Sequence, residues 1–175
     1  MHAARVLPST MLGWHYRSRS EALISFSNSF FYQGRLLTVP DKSLPRPTWT
    51  AIESTRSEEG AANAARLLER PVSFHFLTNG VYENRKNTAE ADYIAHLVRE
   101  LLGKKFGPTI GIIAFSEAQQ GEIQEALARL ADEDPAFGER LDSEYEREDA
   151  GQFNGLLVKN LENIQGDERD IILLS

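Results

Sequence analysis

The sequence predicts an α/β protein with a parallel sheet flanked by helices. Residues 109–115 form an almost continuous apolar run, which is typical of a parallel strand buried on both faces. Two further apolar runs, 156–158 and 171–174, are too short for helices and rich in branched residues, as buried strands are. Segments with helical periodicity precede and follow the central run, so strands and helices alternate along the chain.

The first predicted helix begins at Ser18 or Ser20, either of which can act as its cap, and runs to about Tyr32. Gly34 is placed as its stop signal. Its apolar residues recur near helical spacing and predict a face that packs into the core, with the neighbouring aromatics also in the core: Leu23, Ile24, Phe26, Phe30, Phe31 and Tyr32.

The next segment, residues 39–59, is predicted as a loop because it is rich in proline. A short alanine-rich helix is predicted over 58–68. Residues 71–77 alternate in the manner of a strand, with Val72, Phe74 and Phe76 on its apolar face and His75 on the other face as a packed or solvated residue.

Two capping boxes mark the starts of the longer helices. Asn87 with Glu90 opens a helix that runs to about Leu102 and stops at Gly103, and Ser116 with Gln119 opens a helix to about residue 131. Their apolar stripes are predicted to face the core: Ile94, Leu97, Val98 and Leu101 in the first helix, and Ile123, Leu127 and Leu130 in the second.

The stretch 132–152 is predicted as an acidic surface insertion or a partly disordered segment, because it is crowded with Asp and Glu and contains Pro and Gly. The 175 residues are predicted to form one domain without internal repeats.

Composition excludes several classes of protein. The chain has no cysteine, so disulfides and thiolate metal sites are excluded. Neither a signal peptide nor an apolar run long enough to cross a bilayer is found, so the cytoplasm is the expected compartment. The net charge of −7 argues against a free-standing nucleic-acid binder, although a domain that touches a few phosphates needs only a local basic or amide-rich edge.

Three stretches carry a family resemblance. They are Trp14-His15-Tyr16-Arg17-Ser18, then the strand and Ala-Gln pair within 110–120, and last the run 155–175 with Gln165-Gly166-Asp167-Glu168-Arg169-Asp170. In this order they resemble the second RecA-like domain of superfamily one DNA/RNA helicases, in the bacterial branch related to the Upf-like helicases, within the AAA-type P-loop NTPase superfamily. The resemblance covers most of the chain and implies an ATP-dependent helicase or translocase.

The resemblance also implies nucleotide-binding roles. Arg17 matches the family arginine that reaches the γ-phosphate, Tyr16 the residue that stacks on adenine, and Glu168 the glutamate that bonds the ribose hydroxyls. Gln165 and Gly166 match the positions just before that glutamate. Without the resemblance, a surface ion pair is the favoured interpretation of Arg17 and a packed core ring that of Tyr16. A solvated loop charge is the alternative for Glu168. Asp170 is expected to fix the loop or to act as a cap, and not to contact the substrate.

Nucleic-acid contacts are predicted at Ser116, Gln119, Lys159 and Asn160. Ser116 and Gln119 lie at a strand-to-helix turn that favours anions, and simple helix capping explains them equally well. Asn160 stands where many relatives carry a threonine that contacts a phosphate, which is a departure from the family pattern.

The sequence contains no phosphate-cradling Gly-x-x-x-x-Gly-Lys loop and no magnesium-binding Asp-Glu pair after a strand, and no metal ligands are predicted. We therefore expect a fragment that is inactive alone, with ATP and Mg²⁺ held mainly by a first RecA-like domain of the same parent chain. The expected partner is single-stranded nucleic acid, DNA ahead of RNA. The alternative is a non-catalytic helicase-like module that binds nucleic acid or protein.

Overall fold

The computed structural model describes residues 13–18, 20–40, 50–104 and 107–175. The first twelve residues and residues 41–49 of the predicted proline-rich loop lie outside this described part. The chain divides into two compact units, which are taken in turn.

Unit 1 comprises Met1–Thr48 and Arg70–Val72, and its described elements form a strand, a helix and a second strand. These are β1 (Trp14–His15), α1 (Ala22–Phe31) and β2 (Leu37–Thr38). The strands β1 and β2 are parallel. Gly34 has a φ of +70°, as expected for the residue that ends the helix.

The side chain of Asn28 holds the return from α1 to β2. Its carboxamide nitrogen donates to the carbonyl of Leu36 at 2.9 Å, and its oxygen accepts from the Leu36 N–H at 3.0 Å. Both backbone groups of Leu36 are thereby satisfied by one side chain.

The prediction that α1 packs into a core is wrong. No residue of α1 is buried, and Phe26, Phe30 and Phe31 are 63%, 70% and 74% exposed. The stacked rings of Phe26 and Phe30, with centroids 4.5 Å apart, shield each other in part. Two strands of two residues each offer too little surface to cover the apolar stripe of a ten-residue helix.

Unit 2 comprises Trp49–Glu69 and Ser73–Ser175 and begins with a small parallel pair of strands. Its first elements are β3 (Ile52–Ser54), α2 (Glu59–Asn63), α3 (Arg66–Glu69) and β4 (His75–Leu77). Strand β3 lies inside the segment that was predicted as a loop, so that prediction is wrong there. A three-residue strand carries too little alternation to be recognised beside a run of prolines.

Strand β4 is shorter than predicted, and its faces are reversed. Phe74 and Phe76 are 67% and 49% exposed, whereas the ring of His75 is partly buried. His75 Nδ1 lies 2.7 Å from the hydroxyl of Tyr93, which also accepts from Asn63 at 3.0 Å. This polar network, rather than the alternation of apolar residues, decides which face of β4 turns inward.

The main sheet consists of three parallel strands, β5 (Ile110–Ala114), β8 (Leu157–Asn160) and β9 (Ile171–Leu174). Their order in the sheet is β8–β5–β9. All five residues of β5 are buried, which confirms the predicted parallel strand covered on both faces. The fold is therefore α/β with parallel sheets, consistent with a RecA-like half-domain.

The helices α4 (Thr88–Leu102) and α5 (Glu117–Glu133) begin at the predicted caps. Asn87 accepts from the Glu90 N–H at 3.2 Å, and Ser116 accepts from the Gln119 N–H at 3.0 Å. All seven apolar residues predicted for their inner faces are buried. They pack with one face of β5, formed by Ile110, Ile112 and Ala114.

The acidic stretch 132–152 contains an ordered helix, α6 (Pro135–Tyr145), followed by the antiparallel hairpin of β6 (Glu148–Asp149) and β7 (Gln152–Phe153). The expectation of partial disorder is wrong for α6, because Phe137 and Leu141 are buried in the main core. Asp134 caps the helix and accepts from the Phe137 N–H at 3.1 Å. That the stretch is an insertion stays a prediction.

Candidate functional site

Tyr16 and Arg17 follow directly on the carboxyl end of β1. His15 Nε2 lies 2.6 Å from the hydroxyl of Ser18 and accepts from the Ser18 N–H at 3.2 Å, which closes a turn around the two residues. The ring of Tyr16 is 79% exposed, and Arg17 is exposed as well. The turn therefore presents an aromatic face and a guanidinium group to the surroundings of unit 1, groups that suit a base and a phosphate.

In unit 2, Ser116 and Asn160 lie at the carboxyl ends of the neighbouring strands β5 and β8, where Ala114 pairs with Asn160. Ser116 donates to the carbonyl of Arg85, which links the start of α5 to the loop before α4. Asn160 is 6% exposed, and its carboxamide oxygen accepts from the Glu162 N–H at 3.1 Å, capping a 3-10 turn at Leu161–Asn163. The carboxamide oxygen of Asn160 is thus used within the fold.

Gln119 is 3% exposed and bridges three elements. Its Oε1 accepts from the Asn87 N–H at 2.6 Å, and its Nε2 donates to the Ser175 hydroxyl at 2.9 Å. The side chain therefore does not return to the Ser116 N–H as in a full capping box. It joins the starts of α4 and α5 to the end of β9.

A cluster of charges supports the same edge of unit 2. Lys86 and Arg129 flank the buried carboxylate of Glu122, and Arg129 also pairs with Asp92 at 2.7 Å. The hydrogen bond from Lys86 holds the pKa of Glu122 below its ordinary value, and the same bond raises the pKa of Lys86. The cluster fixes α5 against the segment that leads into α4.

The residues between β8 and β9, 161–170, form what we call the crossover loop. Both flanking strands run parallel to β5, so this loop must return from the carboxyl end of β8 to the amino end of β9. Ten residues span that distance easily, at about 3.3 Å per extended residue. Gln165, Gly166 and Glu168 lie on it and are exposed, and Gly166 has a φ of +90°.

Three side chains tie the crossover loop down. Lys159 pairs with Asp167 at 2.8 Å. Asp170 Oδ2 accepts from both the N–H and the hydroxyl of Thr109 at 3.0 Å, which confirms that Asp170 fixes the loop. Arg169 donates from Nε to the carbonyl of Gly155 at 2.9 Å. Lys159, predicted as a phosphate contact, is thus engaged in an ion pair.

The predicted site residues fall into separate groups. Unit 1 holds Tyr16 and Arg17, and unit 2 holds the other seven, four around the carboxyl ends of β5 and β8 and three on the crossover loop. Sequence reasoning missed Arg169 and Asn87 as parts of this arrangement. The glycine at position 111 inside a continuous apolar strand was an available signal, since such a glycine often marks a close approach.

The described ranges contain neither a cluster of metal ligands nor a helix that could span a membrane. No group of three or more His, Asp or Glu side chains in residues 13–18, 20–40, 50–104 and 107–175 is placed to hold a metal ion. Within those ranges no helix combines the length and apolar character that a bilayer span requires.

Parallel strands with helices between them are consistent with a RecA-like half-domain. The chain belongs to the AAA domain family, whose sequence profile matches residues 1–175. This confirms the predicted family.

Two curated relatives are similar to the chain. The "Uncharacterized ATP-dependent helicase MG140" of Mycoplasma genitalium is 29% identical over 167 residues, which is 95% of this chain and 12% of the relative. Its homologue in Mycoplasma pneumoniae has the same identity and coverage. The chain thus spans about an eighth of the length of these relatives. No solved structure matches the chain.

Proposed function

We propose that this chain is part of the second motor domain of an ATP-dependent helicase or translocase that acts on single-stranded nucleic acid. The observation that carries the proposal is the Tyr16–Arg17 turn at the end of a parallel strand, in a chain of the AAA domain family. The names of the two relatives, both described as ATP-dependent helicases, support it.

The nucleotide contacts are assigned by chemistry. The exposed ring of Tyr16 fits a stacked adenine, and the guanidinium of Arg17 fits a γ-phosphate, to which it can donate two charge-assisted hydrogen bonds. The exposed carboxylate of Glu168 fits the ribose hydroxyls, with Gln165 and Gly166 shaping the backbone before it. Each unit thus contributes nucleotide contacts of its own.

In this proposal, the triphosphate of ATP and the Mg²⁺ ion are bound mainly by a first RecA-like domain of the same polypeptide. Bound Mg²⁺ neutralises charge on the β- and γ-phosphate oxygens. The part played by this chain is the arginine. The guanidinium group of Arg17 stabilises the negative charge that develops on the transferred phosphoryl group, an effect worth roughly 10³ to 10⁵ in rate.

The nucleic-acid surface is proposed at the carboxyl edge of β5 and β8. Ser116 is partly exposed, and Lys159 can exchange Asp167 for a phosphate at little cost because this ion pair is only partly buried. Gln119 and Asn160 are buried, so we assign them to positioning this edge. DNA is the preferred substrate over RNA in this proposal, and the cytoplasm is the compartment.

The alternative is a helicase-like module that binds nucleic acid or protein without hydrolysis. The observation that favours it is the absence of a phosphate-cradling loop from these 175 residues, together with the net charge of −7.

Phosphate release separates the two functions. The full-length protein should hydrolyse ATP in a magnesium-dependent reaction that single-stranded DNA stimulates and duplex DNA does not. The 175-residue chain alone, shown to be folded by its helical circular dichroism, should hydrolyse none. Strand binding by the full-length protein without any ATP hydrolysis would establish the binding module instead.

A further inference from the structure

The side chain of Arg169 packs beside Gly111, the residue of the central strand β5 that has no side chain. Gly111 and Ile113 lie on the face of β5 opposite to the core residues Ile110, Ile112 and Ala114. A Cβ at Gly111 would lie 3.3 Å from Cγ and 3.6 Å from Cβ of Arg169. The aliphatic part of Arg169 therefore packs close to the backbone of β5 at position 111, beside Ile172, whose Cδ1 would lie 3.1 Å from the same Cβ. This brings the crossover loop close against β5.

The guanidinium group of Arg169 connects two backbone segments. Its Nε donates to the Gly155 carbonyl at 2.9 Å, and its Nη1 donates to the carbonyl of Glu168 at 2.8 Å. The group lies 5.4 Å from the ring centroid of Phe153, so the ring face offsets part of the cost of burying Nη2, which has no hydrogen-bond partner in the described part of the chain. A planar fork is needed to reach both carbonyls.

The anchor point itself is rigid. A Cβ at Gly155 would lie within van der Waals overlap of the Glu144 carbonyl at the end of α6, so this backbone is packed directly against the helix. Arg169 thus ties the backbone of Glu168 to α6 and to the core strand β5. On the other side of Glu168, Asp167 is held by Lys159.

We propose that Arg169 is a positioning residue that fixes the backbone at Glu168, so that the Glu168 carboxylate is preorganised to bond the ribose hydroxyls of the nucleotide. This inference rests on the proposed nucleotide role of Glu168. Gly166, at φ +90°, leaves the loop a flexible joint two residues before Glu168, and a glycine loses more conformational freedom on ordering than any other residue. The two hydrogen bonds from Arg169 to backbone carbonyls order the loop before the nucleotide binds, so that binding does not have to supply this entropy cost.

The test compares the binding of two nucleotides to the full-length protein. Equilibrium titrations with magnesium measure the affinity for a non-hydrolysable ATP analogue and for its 2′-deoxy counterpart. The variants are Glu168→Gln, Arg169→Lys, their combination, and Gly111→Ala, whose Cβ requires the side chains of Ile172 and Arg169 to shift by a few tenths of an ångström. Arg66→Lys is the matched control, because Arg66 forms an exposed ion pair with Glu69 on α3.

We expect the wild type to prefer the ribonucleotide about tenfold, the order of one hydrogen bond to a charged group. Glu168→Gln should remove most of this preference, and Arg169→Lys should remove as much, since an ammonium group cannot bridge both carbonyls. The combined variant should lose no more than either single variant. Gly111→Ala should shift the preference in the same direction, and it carries the test if Arg169→Lys fails to fold. Arg66→Lys should keep the full preference.

The contrary outcomes are distinguishable. If Glu168→Gln loses the preference while Arg169→Lys and Gly111→Ala keep it, Arg169 has only a structural role and the inference is overturned, with the proposed ribose contact intact. If Glu168→Gln itself keeps the preference, the ribose contact is wrong and the inference falls with it. Equal weakening of both nucleotides by Arg169→Lys also contradicts a positioning role.

Discussion

Gln119 shows how far the role of one residue depends on distant parts of the chain. Its position three residues after Ser116 predicts a capping box, and its backbone N–H is indeed bonded by Ser116. Its side chain instead bonds Asn87 and Ser175, which are 32 and 56 residues away. Local spacing predicts the start of α5, but the hydrogen bonds from the Gln119 side chain to distant residues are visible only in the folded chain.

His96 makes stability depend on pH. Its side chain is partly buried on α4, and Nδ1 has no hydrogen-bond partner in the described part of the chain. Burial lowers its pKa below the ordinary 6.5, with a further lowering from Arg99 and opposing effects of Glu58, Asp92 and Glu133. The unfolded chain therefore binds more protons at His96 than the folded chain does between its lowered pKa and 6.5.

The consequence is a loss of stability as the pH falls from 6.5 through the lowered pKa of His96. Urea unfolding of the 175-residue chain at pH 7.5 and 5.5 should show a lower midpoint at pH 5.5. His96→Gln, which cannot titrate, should show a smaller difference between the two midpoints. An unchanged difference in His96→Gln would assign the pH dependence to other groups. Glu59 and Glu122, whose pKa values are lowered, lose their contribution to stability only as the pH falls below about 4.5. They therefore do not contribute to the difference between pH 7.5 and pH 5.5.

At the scale of elements, the parts predicted well are those whose signals are local. Strand β5 is a continuous apolar run, and α4 and α5 combine a cap with a regular apolar stripe. Strands β3 and β4 have three residues each and depend on pairing with each other and on the Tyr93 network. Their positions are set by contacts that a local pattern does not contain.

Helix α6 was not predicted, because the acidic composition of the segment indicates disorder more strongly than its few apolar residues indicate a helix. Acidic residues dominate the segment, yet Asp134 caps it, Pro135 occupies the first turn, and Phe137 and Leu141 recur at a spacing of four. These two residues are buried, whereas Glu139 and Asp142 are exposed. A start signal followed by a single apolar pair is enough to dock a helix when the pair reaches the core.

Phe137 should therefore be among the residues that matter most for stability. It is completely buried, and its truncation leaves a cavity, so Phe137→Ala should lower the free energy of unfolding by about 3–5 kcal/mol. Urea unfolding of the 175-residue chain measures this. Phe115→Ala is the control: Phe115 is 64% exposed, and its loss should cost about 0.5 kcal/mol or less. Equal costs for the two variants would mean that α6 is not docked as described.

At the scale of the whole molecule, the fold follows from the alternation of strands and helices, while the site does not follow from the fold. Tyr16, Arg17 and Glu168 are ordinary exposed residues by burial. Their assignment depends on the order of three motifs along the chain and on membership of the AAA domain family. Gln119 and Asn160 show the limit of such a transfer from the family, because both side chains are buried in unit 2 and accept backbone hydrogen bonds there.

Arg17 carries the central claim, because a charge that stabilises the transition state should affect hydrolysis far more than binding. The decisive measurement is single-turnover ATP hydrolysis by the full-length protein, beside equilibrium nucleotide binding, for Arg17→Ala, Arg17→Lys and the control Arg35→Ala, another exposed arginine of unit 1. We expect Arg17→Ala to lose on the order of 10³ in hydrolysis rate, about 4 kcal/mol of barrier, with binding largely kept, little rescue by Arg17→Lys, and no loss in Arg35→Ala. Near wild-type hydrolysis in Arg17→Ala would contradict the account and return Arg17 to an ordinary surface arginine.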